Sequence, residues 1–359
     1  MKIMILTNSS NGLWGFRQEL IKELLKKNEV IAITPYDGFV EDLNELGCKT
    51  IELNIDRRGL NPIKDMKFFL DCLKIIQKEK PDLVITYTIK PNVYGGVVCR
   101  LKKIPYAINI TGLGTAFEKE GLLKKIAIIM NKVSCKKARV VFFENEENRQ
   151  FFVKEQIVKE SQTYRLNGAG INLERFKMLP YPKGDTIKFL FMGRVMAEKG
   201  IDELFIAMQK LVSEGIKCEL DVLGRYEENY KEKIHKYEEE GWLHYYGYQE
   251  DVRPFIEKCH CFVLPSWHEG MANTNLESAA SGRPIITSNI HGCLEAVIEN
   301  KSGFLVEKKN ADDLYEKMKK FSELSYEERK AMGLASRKHM EKIFDKKIVV
   351  EDTIKELLK

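Results

Sequence analysis

The chain has 359 residues, 44% hydrophobic and 31% charged, which is room for two domains and the make-up of an ordinary soluble protein. Its 24 Gly and ten Pro exclude a collagen-like or linker-dominated chain, and no stretch approaches the roughly 20 apolar residues that span a bilayer. The net charge of +5 is uneven: +9 up to residue 180 and −4 beyond it, with eleven cations against only Glu118 and Glu120 between Lys90 and Arg139. Such a basic segment asks for an anionic partner or a solvated face, and a membrane surface suits it better than nucleic acid.

Met1–Thr7 reads as a first strand; its apolar run is too short for a signal peptide. Further apolar, β-rich runs at 29–34, 49–54, 82–87, 106–111 and 139–143 alternate with helical patterns at 15–27, 62–79, 92–103, 121–137 and 146–155. The rhythm restarts near Ile187, with strands at 187–192, 218–223, 243–247, 260–265 and 284–288 and helices at 200–214, 227–240, 250–258, 273–281 and 310–321. The tail, 326–358, is helical and charged. Alternation of this kind predicts an α/β chain with two doubly wound parallel sheets. The Gly- and Pro-bearing stretch from Asn167 to Gly184 suits a hinge between them. Ligands bind at the carboxyl ends of such strands, so the loops there are where function is sought.

The eight cysteines contain no Cys-x-x-Cys pair. Cys259 and Cys261 flank His260 on one strand, where alternate side chains diverge, so they do not converge on a metal. Reduced, buried thiols in a cytoplasmic protein are expected.

Three loops carry chemistry. Pro265–Glu277 follows an apolar strand and opens a helix, with Asn273 or Thr274 as the cap. Its amides, with the positive end of the helix, suit an anion. Glu269 and Glu277 are placed to address two ends of an elongated ligand, although an ordinary helix start with two solvated glutamates has the same spacing. Gly193-Arg194…Lys199-Gly200 puts two cations at a strand-to-helix turn, as a diphosphate requires; pairing with Glu198 and Asp202 is the plain alternative. Asn8–Gly15, containing Gly12, permits close backbone approach after the first strand, or is a tight turn.

Gly193-Arg194-x4-Lys199-Gly200 with His268-Glu269-Gly270…Leu276-Glu277 resembles the donor-site signature of family 4 glycosyltransferases with the GT-B fold, two Rossmann-like domains facing one cleft. Gly170-Ile171-Asn172-Leu173-Glu174-Arg175-Phe176 is similar to the family's interdomain segment. Gly224, Gly247-Tyr248 and Gly282-Arg283-Pro284-Ile285-Ile286 fall in the family's order. Thr86–Gly96 and Asn109–Phe117 resemble the subgroup of capsule, O-antigen and N-glycan transferases that act on undecaprenyl-diphosphate-linked sugars.

The resemblance implies an acceptor-binding domain at 1–175, a nucleotide-sugar domain at 176–340 and a C-terminal helix, 341–359, returning toward the first. It implies transfer with retention of an N-acetylhexosamine, GalNAc or GlcNAc, from a UDP-sugar to a polyprenyl-diphosphate-linked saccharide. Arg194 and Lys199 would stabilise the leaving diphosphate, aided by the amides of Gly270, Met271 and Ala272. Glu269 would hold the sugar hydroxyls and Glu277 the ribose. Gly12, Gly193, Tyr248 and Asn273 complete the donor contacts. Arg17, Arg57, Arg58, Lys90, Thr111 and Gly112 are acceptor candidates. Thr111 stands where many members have a histidine, and none of the six histidines precedes His235.

No Asp-x-Asp motif is present, so neither a metal nor another cofactor is expected beyond the UDP-sugar co-substrate. The segment 121–139 reads as a basic amphipathic helix for the inner membrane surface, which makes the protein peripheral on the cytoplasmic face. Burial of its apolar side against the sheet explains the same periodicity. Nucleic acid is not an expected partner. A non-hydrolysing UDP-sugar 2-epimerase, or a non-catalytic nucleotide-sugar-binding subunit, are the alternatives.

Overall fold

The structure, a computed structural model, describes residues 1–56, 61–113, 117 and 121–359. They form two compact units, one of Met1–Ala169 with Lys347–Lys359 and the other of Gly170–Lys346. The division falls a few residues before 175 because the incoming chain pairs with the outgoing one: the Ile171 N–H donates to Phe344 O and the Lys346 N–H to Ile171 O, at 2.7 and 3.0 Å. Gly170, at φ +69°, lies so close that a Cβ there would come within 2.7 Å of Lys346 Cα.

In the first unit the strands are β1 Lys2–Leu6, β2 Glu29–Thr34, β3 Lys49–Glu52, β4 Leu83–Tyr87, β5 Tyr106–Ile110, β6 Val140–Phe143 and β7 Thr163–Arg165. They form one parallel sheet in the order β3-β2-β1-β4-β5-β6-β7. The helices are α1 Ser10–Leu25, α2 Val40–Glu45, α3 Pro62–Glu79, α4 Gly96–Lys102, α5 Leu122–Cys135 and α6 Glu146–Lys154. Strand residues alternate between two apolar layers. Ile3 and Ile5 meet α1 and α2, while Met4 and Leu6 meet α3 and α4. Burial on both faces is why these strands read as continuous Val/Ile runs.

The second unit continues with β8 Ile187–Met192, α7 Ile201–Ser213, β9 Cys218–Leu223, α8 Lys231–Glu239, β10 Leu243–Gly247, α9 Arg253–Lys258, β11 Cys261–Leu264, α10 Asn273–Ala280, β12 Ile285–Ser288, β13 Gly303–Val306, α11 Ala311–Glu323 and α12 Tyr326–His339. Its sheet runs β10-β9-β8-β11-β12-β13, also parallel. The last helix, α13 Lys346–Leu358, buries Val349, Val350 and Leu357 in the α1 layer of the first unit. All eight cysteines are buried and unpaired.

Several boundaries differ from the sequence expectation. Helix α1 starts at Ser10 rather than 15, because the Ser9 side chain caps it by accepting from the Gly12 N–H. The expected helix 92–103 is a wide turn over Pro91–Gly95 followed by α4. α2, β7 and β13 were not anticipated. The tail is two helices, parted by a wide turn over Met340–Phe344.

Candidate functional site

Three neighbouring strands of the second unit meet a glycine at their carboxyl ends: Gly193 follows β8, Gly224 follows β9 and Gly247 closes β10. Gly224 has φ +145°, and a Cβ there would sit 1.8 Å from Gly193 O, so the β8 and β9 ends touch backbone to backbone. This close approach lets the chain turn out with Arg194 exposed, its guanidinium 3.7 Å from Glu227. Tyr248, 62% exposed, follows β10, and the Arg225 guanidinium lies 4.6 Å from its ring centre.

Lys199 ends a short turn, Ala197–Lys199, that packs on the loop after β11. Gly200, at φ +71°, makes this packing possible: a Cβ would stand 2.0 Å from Pro265 O. The Trp267 N–H donates to Glu198 O at 2.9 Å, and its indole N–H to Glu203 at 3.1 Å. These contacts bring Lys199 and Glu269, 70 residues apart, into an ion pair whose side chains are only 18% and 13% exposed. The Ser266 hydroxyl also donates to the same Glu269 oxygen at 2.8 Å. The two expected cations therefore differ. Lys199 is held against an acid on a fixed loop, and Arg194 reaches into solvent.

Helix α10 begins at Asn273 with Ala272 at the cap position and no side-chain cap. The expected cap by Asn273 or Thr274 is not made; the Asn273 amide turns back to Met271 O at 3.4 Å. The Ala272 N–H donates to Gly292 O at 2.7 Å, so this amide is committed within the fold and is not offered to a leaving group. Glu277 is on the second turn of α10, partly buried. Burial pushes its carboxyl up to about 7 against the pull of Arg175 and Lys346.

Two residues the sequence reading passed over shape this site. A Cβ on Gly292, at φ +91°, would meet Glu269 O at 2.7 Å and Gly270 O at 2.8 Å. Glu295 fixes that glycine by accepting from its N–H at 2.7 Å, with its other oxygen 2.8 Å from His291 Nδ1. A lone glycine after a strand was the one signal available. Among the described residues, no three His, Cys, Asp or Glu side chains gather as a metal site.

In the first unit, Gly12 lies in the first turn of α1 rather than in an open loop. The Asp37 carboxylate occupies that helix end, accepting from the Ser10 N–H at 2.7 Å and from the Ser9 and Ser10 hydroxyls at 2.9 and 2.7 Å. Arg17 is buried, 2.7 Å from Glu144 Oε1 and 4.8 Å from the Tyr87 ring centre. Burial raises Glu144 despite that partner. Lys90 pairs with Asp65 at 2.6 Å. The charge of each of these two acceptor candidates is thus matched within the unit.

Thr111 and Gly112 follow the end of β5. Just inside that end, Thr86, Asn92 and Asn109 form a buried chain: Thr86 Oγ1 donates to Asn92 Oδ1, and Asn92 Nδ2 to Asn109 O, both at 2.7 Å. The two subgroup motifs therefore meet. Beside them Thr88 is held at φ +74°, strained for a β-branched residue, with its buried hydroxyl unpartnered among the described residues. Arg57 and Arg58 lie outside the described residues.

Two family models divide the chain: "Glycosyl transferase 4-like" matches residues 2–145, and "Glycosyl transferases group 1" matches 176–339. The chain is 28% identical to a Campylobacter jejuni N,N'-diacetylbacillosaminyl-diphospho-undecaprenol alpha-1,3-N-acetylgalactosaminyltransferase, over 99% of this chain and 98% of that one. It is 26% identical to an Escherichia coli UDP-Gal:alpha-D-GlcNAc-diphosphoundecaprenol alpha-1,3-galactosyltransferase, over 71% and 70%. Among solved structures, Anabaena HepE in complex with UDP-glucose superposes with a TM-score of 0.81 at 15% identity, over 99% of each chain. That likeness shows the fold, GT-B.

Proposed function

The chain belongs to the glycosyltransferase family, and from that membership we propose that it moves an N-acetylhexosamine, GalNAc or GlcNAc, from a UDP-sugar to a polyprenyl-diphosphate-linked saccharide, with retention. The observation that carries the reading is the partly buried Lys199–Glu269 pair, held by Ser266 and by the Gly200–Pro265 approach. The names of the two relatives, both transferases acting on diphospho-undecaprenol-linked sugars, support the acceptor class and do not favour an epimerase.

In this reading donor binding opens the pair. Lys199 turns to the diphosphate with Arg194, and Glu269 accepts from sugar hydroxyls. Glu277 accepts from the ribose, and Tyr248 with Arg225 flanks the base. The acceptor hydroxyl forms a bond to the anomeric carbon as the bond to the diphosphate oxygen breaks, and the leaving diphosphate takes the proton. Catalysis rests on the two cations that donor binding brings to where that charge grows. No metal or other cofactor enters; the UDP-sugar is a co-substrate. The lipid-linked acceptor places the protein at the cytoplasmic membrane face, reached through 121–139. No helix among the described residues is long and apolar enough to cross a membrane.

The test is transfer from a panel of UDP-hexoses, UDP-N-acetylhexosamines and GDP-mannose to short polyprenyl-diphosphate-sugars, with and without EDTA. EDTA-resistant transfer from one UDP-N-acetylhexosamine is expected. Binding of nucleotide sugar with no transfer to any acceptor would leave the non-catalytic reading standing.

A further inference from the structure

Helix α5 does not bury its apolar side. Leu122, Leu123, Ile126, Ile129 and Val133 are exposed, Leu122 by 73% and Ile129 by 60%. Positions 122, 126, 129 and 133 recur at helical spacing, so they make one outward stripe. Helix α3 repeats the pattern with Ile63, Met66 and Leu70, of which Ile63 is 82% exposed. Both helices cover the same face of the first unit's sheet, through Phe68 and Cys72 of α3 and Cys135 of α5. Helix α4 lies between them, with Leu101 exposed, and its Arg100 donates to Val133 O at 3.1 Å. The buried side of each helix is a separate set of residues, so sheet packing does not account for the outward stripes.

Charge says what covers this face. Between Gly121 and Phe143 there are six cations and no acid. Lys125 and Lys136 are exposed and Lys132 half-exposed, all along one flank of the α5 stripe. On α3 Lys67 is exposed, while Lys64 and Lys74 are exposed but paired with Asp56 and Asp71 at 3.3 and 3.9 Å, and Lys102 and Lys103 follow Leu101. Apolar side chains bordered by lysines fit an interface whose surface is anionic and whose interior is hydrocarbon.

We propose that the first unit docks on an anionic lipid bilayer through the joint outward face of α3, α4 and α5. This rests on the lipid-linked acceptor above and deepens it from one basic segment to a three-helix surface.

The test is flotation of the full chain with vesicles of phosphatidylcholine alone and of equimolar phosphatidylcholine and phosphatidylglycerol. Wild type floats with the anionic vesicles, less in high salt. Ile126→Asp/Ile129→Asp and Ile63→Asp/Met66→Asp each lower that binding about tenfold or more. Lys125→Glu/Lys136→Glu removes the preference for anionic lipid. All six positions are solvent-facing, so unchanged melting and unchanged UDP binding confirm intact folding. Transfer to a water-soluble acceptor analogue is measured beside flotation and stays at wild-type level in every variant. Transfer without vesicle binding overturns the docking face alone. Vesicle binding without transfer to any acceptor overturns the transferase reading and keeps the face. A dimer in solution that the Ile126/Ile129 variant abolishes, without lipid binding by wild type, assigns the face to a second copy and overturns the proposal.

Discussion

Lys199 and Glu269 neutralise one another in the free protein, so removing either leaves the other's charge unpaired at a largely buried position. Their proposed tasks differ, and binding separates them. Lys199→Ala should weaken UDP itself, because the diphosphate loses a cation, whereas Glu269→Gln should bind UDP as wild type does but lose the added affinity of the UDP-sugar. Both should lower kcat by about 10²–10³. Calorimetric titration with UDP and UDP-sugar checks this; an equal loss of UDP affinity in both variants would sink the assignment. Glu277 gives a prediction in pH. Its carboxyl is raised to about 7, so the folded state keeps the proton that the unfolded state releases. Whatever stability this group confers is full below its ordinary range near 4.5 and is lost as pH rises through 7. Glu277→Gln removes that dependence. The variant should therefore gain on wild type by about 3 kcal/mol between pH 4.5 and 8, read by urea melts. UDP affinity should move the other way: the deficit of the variant is larger at pH 8, where wild type carries the charge that accepts from ribose, than at pH 6.

At the level of elements, glycines set the site, and they do so unequally. Gly200 combines a positive φ with a Cβ position 2.0 Å from a carbonyl oxygen. Gly200→Ala should cost the second unit about 3 kcal/mol or more and weaken UDP through the displaced Lys199. Gly12 has neither constraint, since its Cβ would meet only Ser9 at 3.5 Å. Gly12→Ala should stabilise α1 by about 0.5–1 kcal/mol. A fall in transfer with that gain would trace to ligand approach; unchanged transfer would remove Gly12 from the donor contacts. The Gly200 turn was legible because Arg194, Lys199 and Gly200 stand together in sequence. Where α1 begins was not, because the Asp37 that ties down Ser9 and Ser10 lies 28 and 27 residues further on. Nor was the outward side of α5: periodicity reports that a helix has an apolar side, not whether a sheet covers it.

Across the whole molecule, two βαβ series separated by a Gly- and Pro-bearing stretch were enough to foresee two parallel sheets, because strands buried on both faces leave unbroken apolar runs. Which sheet claims the last helix was not readable from α13 itself, whose sequence mixes Lys347, Glu351, Asp352 and Lys355 with Ile348, Val349, Val350, Ile354 and Leu357 and so offers an apolar side to either sheet. Its place is set by partners distant in sequence. Val349 and Val350 are buried beside Leu20 and Tyr87, and Arg139 donates to Leu357 O at 2.8 Å. The first unit is thus built from both ends of the chain, while the second is one continuous segment. Deleting 347–359 should therefore act on one unit. It uncovers Leu20 and Phe142, and losing three buried aliphatic side chains should cost the first unit on the order of 5 kcal/mol. Urea melts followed by circular dichroism should change from one transition to two, the earlier belonging to the first unit. UDP should go on binding to the second unit with little change, while transfer is lost. Joint failure of both units, with UDP binding abolished, would mean that α13 supports the molecule in a way its buried contacts do not account for.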